Sequence, residues 1–227
     1  MTREHYDLQL RSLDAGVLAM GEVVADTIAQ CVDALEALDV DIAQQLVEAD
    51  NQIDQQRYDI ENQALLLIAT QQPLAGDLRT VAAILTIATE LERIGDYCEG
   101  IAKLTLRMAS EPIAVHVQDI RAMALLTQRL LRDSLLAYAD RNMEMAGVVW
   151  SRDDEVDALY AQVFRSMIAG MIGDQSSIRS RTYMLWIAHN IERMADRVTN
   201  IAERVAFVVT GDVAAFRDRL RAQTIPG

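Results

Sequence analysis

The chain has 227 residues, 51% of them hydrophobic, with 34 acidic against 21 basic side chains and a net charge of −13. That field argues against a nonspecific role on nucleic acid or on anionic lipid. With 10 glycines and 3 prolines there are few helix breakers, so the composition is that of an all-helical protein able to bury a sizeable core.

In chain order, apolar residues recur at three- and four-residue steps from about 3 to 37, and the run stops near "LDVD", where Asp39 is placed to cap the next helix. A second helix is predicted over about 40–70 and ends in "QQPLAGDLR", broken by Pro73 and Gly76. A third covers about 77–109 and is stopped by "SEP" and Pro112. The pattern then restarts: a fourth helix over 117–139, Asn142 as a cap, a fifth over 143–169, a break at "GMIGDQSS", and a sixth over 177–209 closed by Gly211. The tail, 212–227, is expected to add one short turn of helix. Cys31 and Cys98 lie far apart in helical patterns and read as buried, reduced thiols. The opening "MTREHYDLQL" carries charges where a signal peptide would be apolar, and no apolar run is read as long enough to span a membrane. A cytoplasmic location is expected, at most peripheral at the inner face of the membrane through partners, with no membrane insertion.

The halves repeat each other. "LERIGDYCEGIA" (91–102) returns as "IERMADRVTNIA" (191–202), Arg79 falls on Arg179 at an offset of 100, and Ala43 falls on Ala146 at 103. Even the turns, "QQPLAGD" and "MIGDQSS", fall at matching places. A period near 100 residues is that of a three-helix bundle, and long helices joined by short loops lie antiparallel. The predicted fold is all-α, two tandem antiparallel three-helix bundles related by internal duplication. The first bundle spans 1–110, the second 115–211, and a C-terminal tail 212–227.

The repeated phrase carries acids one helical turn apart. Glu92 and Asp96 share a face of the third helix, and Glu192 and Asp196 share the matching face of the sixth, which Asn200 extends where the first half has Gly100. "EADNQID" places Asp50 and Asp54 on the second helix at the same spacing, and "RDDEVD" places Asp153 and Asp157 on the fifth. Chance alone gives about five such pairs in a chain of this composition, so a single pair carries no information. Recurrence in register on corresponding helices does. Like charges at this spacing cost a helix about 0.2–0.5 kcal/mol each, and a bridging cation turns that repulsion into attraction. Oxygen ligands favour hard ions such as Mg²⁺, Mn²⁺, Ca²⁺ or ferric iron.

An enzyme is disfavoured. The histidines His5, His116 and His189 have no Glu three residues before them, as di-metal bundles require, and there is no HExxH or Gly-rich phosphate loop. Methionines in 167–184 read as core filler. Arg79 and Arg179 read as holding their turns by hydrogen bonds, with anion binding as the alternative.

With its "HYDLQLRSL", "MGEVV" and "QQPLAGDLR" segments and the duplicated "ERIGD" and "ERMAD", the chain resembles the PhoU family of phosphate-transport regulatory proteins over nearly its whole length. The resemblance implies a non-enzymatic, cytoplasmic negative regulator of phosphate uptake and the phosphate-starvation response. It implies a homodimer whose partners are the ATPase subunit of the phosphate ABC transporter (PstB) and a sensor histidine kinase (PhoR), with no nucleic acid. It also implies multinuclear clusters of iron, zinc, magnesium or manganese on Asp50, Asp54, Glu92 and Asp96 in one bundle and on Asp153, Asp157, Glu192 and Asp196 in the other. Two departures stand out: Gly100 replaces the usual Asn, and Asp153 sits among "RDDE", where the register admits a shift of one residue.

Overall fold

The computed structural model of the chain describes residues 3–110 and 117–224, and every regular element within them is helical. Helices α1 (Arg3–Ala37), α2 (Val40–Gln71) and α3 (Gly76–Met108) form one antiparallel bundle. The second is built from α4 (Gln118–Ala139), α5 (Met143–Ser151) continued by α6 (Asp153–Gly173), and α7 (Ile178–Thr210), with α8 (Val213–Thr224) after it. Pro112 and His116 lie outside the described residues, as do 225–227.

The duplication reaches into the backbone. Leu38 and Arg141, 103 residues apart, both take left-handed φ values of 50° and 53°. In both turns the next amide reaches back five residues, Asp39 N–H to Ala34 O and Asn142 N–H to Ala137 O, each at 2.9 Å. Those next residues then cap the following helix: Asp39 accepts from Ile42 N–H, and Asn142 from the Glu144 and Met145 amides. The other pair of turns coincides in place but not in conformation. Gln72 and Ala75 take left-handed φ values of 50° and 47° around Pro73, whereas Asp174 is extended and caps a 3₁₀ turn, Gln175–Ser177.

Other expectations are corrected. The fifth helix is two helices, interrupted at Arg152, whose amide is shared between the Val148 and Val149 carbonyls at 3.2 Å. Restarting there puts Asp153, Asp154 and Glu155 in a first turn, where the helix dipole favours acids, and Arg152 clasps Glu155 at 2.8 Å. The tail forms α8, twelve residues long, held by buried Phe216 and by Arg217, which donates from Nε and Nη2 to the buried Glu203 carboxylate. By length and composition α1 would pass for a membrane span, with an 18-residue window of hydropathy 1.4. Its apolar face instead packs on α2, α3 and α4, with Val17, Met20, Val24 and Ile28 fully buried. Met167 and Met184 are core residues as expected, but Met171 is half-buried.

The two bundles share one continuous core. Helices α2, α3, α7 and α6 lie in a row, with α1 and α4 packed together behind it. Antiparallel α3 and α7 meet in a constant register: Arg79 lies against Gly211, Glu90 accepts from Arg197 and Asn200, and Asn190 sits on Gly100. Gly211 has φ 81°, which favours glycine, and the Arg79 guanidinium lies 3.0 Å from where its Cβ would be. Arg79 therefore joins the halves rather than simply holding its own turn. Behind, Gly21 admits the Leu135 side chain, and Arg121 and Arg132 of α4 pair with Asp33, Glu36, Glu22 and Asp26 of α1.

Candidate metal centre

The acids named from the sequence fall into two groups, one in each groove between the helices carrying the repeat. Asp50 and Asp54 come from α2, and Glu92 and Asp96 from α3. Their proximity shows in their ionisation. Burial, and then the neighbouring Glu99, Asp96 and Asp54, raise the Asp50 carboxyl to about 6. Burial and the Asp96 charge raise Glu92 against the opposing pull of Arg57, whose Nε is 3.7 Å away. Asp96 is raised by burial and then by Asp54 and Glu99. Gly95 makes this groove possible: an added Cβ would lie 3.1 Å from Ile53 and 3.3 Å from Asp50 Oδ1, so the glycine lets α2 settle onto α3 at the level of the acids.

Asp153 and Asp157 of α6 and Glu192 and Asp196 of α7 act on one another's charge across the second groove. Burial, followed by Asp157, Asp196, Asp154 and Glu192, raises Asp153 to about 6. Asp157 and Asp196 are raised as well, burial being the main cause for each. Within "RDDE", Asp153 is partly buried on the side of the group while Asp154 is exposed, though its charge also reaches Asp153 and Asp157. Arg193 spans this group, donating to Glu192 at 2.9 Å and to Asp196 at 2.6 Å, and His189 Nδ1 lies 3.5 Å from Glu192.

Two side chains depart from the sequence reading. Glu99 belongs to the first group and is tied to Lys103 at 2.5 Å; its spacing of three from Asp96 was the available signal. Asn200 does not serve the second group as placed. Its amide donates to Glu90 Oε2 at 3.2 Å across the α3–α7 seam, which is where its mate, Gly100, receives Asn190. Gly100 is thus a packing residue between the bundles.

The donor set suits a hard cation: four carboxylates per groove, drawn from two helices, with burial and mutual repulsion holding six of the eight above their ordinary range. Among the described residues no three Asp, Glu, His or Cys side chains stand close enough to share one ion. Arg57 and Arg193 take up part of their charge.

Known proteins place the chain. The PhoU domain model matches it twice, over residues 17–105 and 120–205. The chain belongs to the PhoU family. A PhoU homologue of Caulobacter vibrioides, a phosphate-specific transport system accessory protein, is 38% identical over 93% of this chain and 92% of its own length. The counterpart in Clostridium acetobutylicum is 36% identical over 96% of this chain and all of its own. The crystal structure of the phosphate transport system regulatory protein PhoU from Streptococcus pneumoniae superposes with a TM-score of 0.85 at 31% identity, covering 92% of this chain and 99% of that one. PhoU from Pseudomonas aeruginosa gives 0.87 at 29%, covering 91% and 100%. The doubled PhoU match follows the duplicated helical architecture.

Proposed function

We propose that this chain is the accessory protein of a phosphate-specific transport system, acting in the cytoplasm as a negative regulator of phosphate uptake and of the phosphate-starvation response. The observation that carries this reading is the end-to-end match to relatives named as accessory or regulatory proteins of phosphate transport systems. These relatives are named as accessory or regulatory proteins, which supports a non-catalytic part. In the proposed arrangement the chain, as a homodimer, couples the transporter's ATPase subunit, PstB, to a sensor histidine kinase, PhoR.

The reading includes cations. Asp50, Asp54, Glu92 and Asp96 would hold one set and Asp153, Asp157, Glu192 and Asp196 another, of iron, zinc, magnesium or manganese. A bound cation neutralises carboxylates that otherwise repel one another. On this chain's side, Arg57 and Arg193 hold Glu92, Glu192 and Asp196 and must yield to an incoming ion.

Two experiments test these parts separately. Deleting the gene should leave phosphate-starvation genes expressed at high phosphate; normal repression in the deletion would end the regulatory reading. Elemental analysis of protein purified without chelator should find metal that is lost when all eight acids become amides. Repression surviving in a metal-free amide variant favours the second reading, an adaptor whose acidic faces only dock partners, including those of another transporter.

A further inference from the structure

The two acid groups match in their carboxylates but not in what stands around them. Helices α2 and α6 correspond at an offset of 103 and α3 and α7 at 100, so each neighbour of one group has a mate beside the other. At one end the first group has Arg57 on α2, its Nε 3.7 Å from Glu92, and Thr89 on α3, whose hydroxyl donates to the Leu85 carbonyl at 2.9 Å. Their mates are Tyr160 and His189. Here an imidazole takes the guanidinium's part. His189 Nδ1 lies 3.5 Å from Glu192, and its ring is tilted towards that of Tyr160 with centroids 6.3 Å apart, so it extends from α7 towards α6. At the other end the first group carries Lys103, paired with Glu99 at 2.5 Å. The mates of that pair are Glu203, which is buried and bound by Arg217 of α8, and Thr199, whose hydroxyl donates to the Asp196 carbonyl at 2.8 Å. Neither the ammonium nor its carboxylate recurs.

Those exchanges alter both charge and donor chemistry. With Glu99 in the first groove and Asp154 in the second, five carboxylates act on one another in each. Three fixed cations, Arg57, Arg93 and Lys103, oppose the first five, and two, Arg193 and Arg197, oppose the second, leaving −2 and −3 with His189 neutral. A guanidinium or an ammonium has only hydrogens to offer, whereas a neutral imidazole keeps one nitrogen lone pair for a metal. The first groove therefore holds more resident charge of a metal ion's own sign and presents oxygen alone. The second presents oxygen and one nitrogen. His189, Glu192 and Asp196, spaced by three and then four, share one face of α7. Arg193 bridges the two acids and is the group an ion displaces there. Oxygen donors suit magnesium and manganese, and imidazole suits zinc, iron, nickel and cobalt.

We propose that the two grooves divide cations by type: His189 makes the second a site for a borderline transition ion such as zinc or ferrous iron, and Lys103 makes the first a weaker site confined to hard ions such as magnesium or manganese. The inference rests on the metal reading above and states which ion each groove takes. His189 is a ligand of the second site. Lys103, half exposed on a flexible stem, is a tethered counter-ion of the first, which an incoming cation must push aside. Duplication thus supplies two sites whose carboxylates correspond while their selectivity differs.

Metal-free, full-length protein tests this with Co²⁺, a spectroscopic stand-in for zinc, and with Mn²⁺. One form carries Asp50→Asn, Asp54→Asn, Glu92→Gln and Asp96→Asn, which leaves the second groove; the other carries Asp153→Asn, Asp157→Asn, Glu192→Gln and Asp196→Asn, which leaves the first. Co²⁺ should bind the second groove more tightly than the first, and there it should give a paramagnetically shifted imidazole N–H proton signal that vanishes in heavy water. His189→Gln should remove that signal and weaken Co²⁺ about tenfold, as much as losing a ligand's hydrogen-bond partner does, while Mn²⁺ binding stays within about twofold. In the first groove Lys103→Gln should tighten Mn²⁺ about fivefold, the worth of one partly exposed ion pair, and Lys103→Arg should not. Should a fourfold variant fail to fold, the unaltered chain with and without His189→Gln reads the same proton signal. Equal Co²⁺ affinity in the two grooves, or a cobalt signal that survives His189→Gln, overturns the proposal and leaves the metal reading standing. Failure of the unaltered chain to bind either ion overturns both.

Discussion

Bundle one carries its third long helix to the tip, closes its α2–α3 turn with two left-handed residues, and sets its acids over Gly95; bundle two has the shorter α4, a capped 3₁₀ turn, and an arginine across its acids. The difference teaches that duplication preserves what the core needs and frees what it does not. Positions facing the shared interior stay apolar in both copies, as with Ile84 and Met184, or Ile94 and Met194, each fully buried. Positions at ends and rims have diverged into different chemistry, as with Phe164 and Glu61.

The strongest way to break the comparison is through the core. Ile94→Ala and Met194→Ala should each cost about 2–5 kcal/mol. Because one core runs through both bundles, each should lower a single denaturant transition seen by every probe; two separated transitions would show that the bundles unfold independently.

Next comes α8, which has no counterpart among the described residues of the first bundle. Arg217→Ala leaves the Glu203 carboxylate, whose side chain is 5% exposed, with only Arg204 at 4.0 Å, and should cost about 3 kcal/mol, the low end for breaking a buried pair because Arg217 itself is half exposed and Arg204 remains. Lys103→Ala, at the mate of Glu203, should stay within about 0.5 kcal/mol, as surface changes do. Equal melting shifts would refute that contrast.

A smaller effect tests the shared character of the grooves. Asp50 and Asp153 titrate near 6 when folded, above an unfolded value near 3.8, so the folded chain holds extra protons between those pH values. Metal-free protein should therefore gain stability from these groups as pH falls from 7 towards 4, and lose it as pH rises through 6. Asp50→Asn and Asp153→Asn should each raise the melting temperature at pH 7 by about 2–4 °C, the shift of about 1 kcal/mol in a chain of this size, and flatten the dependence on pH. An unchanged thermal midpoint in both variants would show that the acids are not crowded.

The smallest effect rests on the metal reading. Arg193→Gln frees Glu192 and Asp196 and should tighten cation binding in the second groove about fivefold, an exchange of roughly 1 kcal/mol for a partly exposed ion pair. Arg93→Gln, at the exposed mate, should change the first groove less. Calorimetric titration of both variants distinguishes them.

Much of this was legible in advance. Three- and four-residue spacing marked the long helices, and "LDVD" and Asn142 marked two starts, because capping chemistry is local. The eight acids were legible as two sets because the repeat put them in register. Glu99 was passed over because its mate is Thr199, so a reading based on recurrence discards it. The break at Arg152 and the burial of α1 depend on neighbours that periodicity does not report, since an apolar stripe looks alike whether it meets a helix, water or lipid.

The sequence by itself determined helix periods, caps, the doubling and the pairing of acids, all consequences of side chains within one turn or one repeat of each other. Only the tertiary structure decided that Gly100 and Asn200 belong to the seam between bundles and that Arg79 reaches the far end of α7. Those facts follow from the antiparallel register of α3 on α7. A register between distant helices is fixed by the fit of whole faces, which no local pattern encodes.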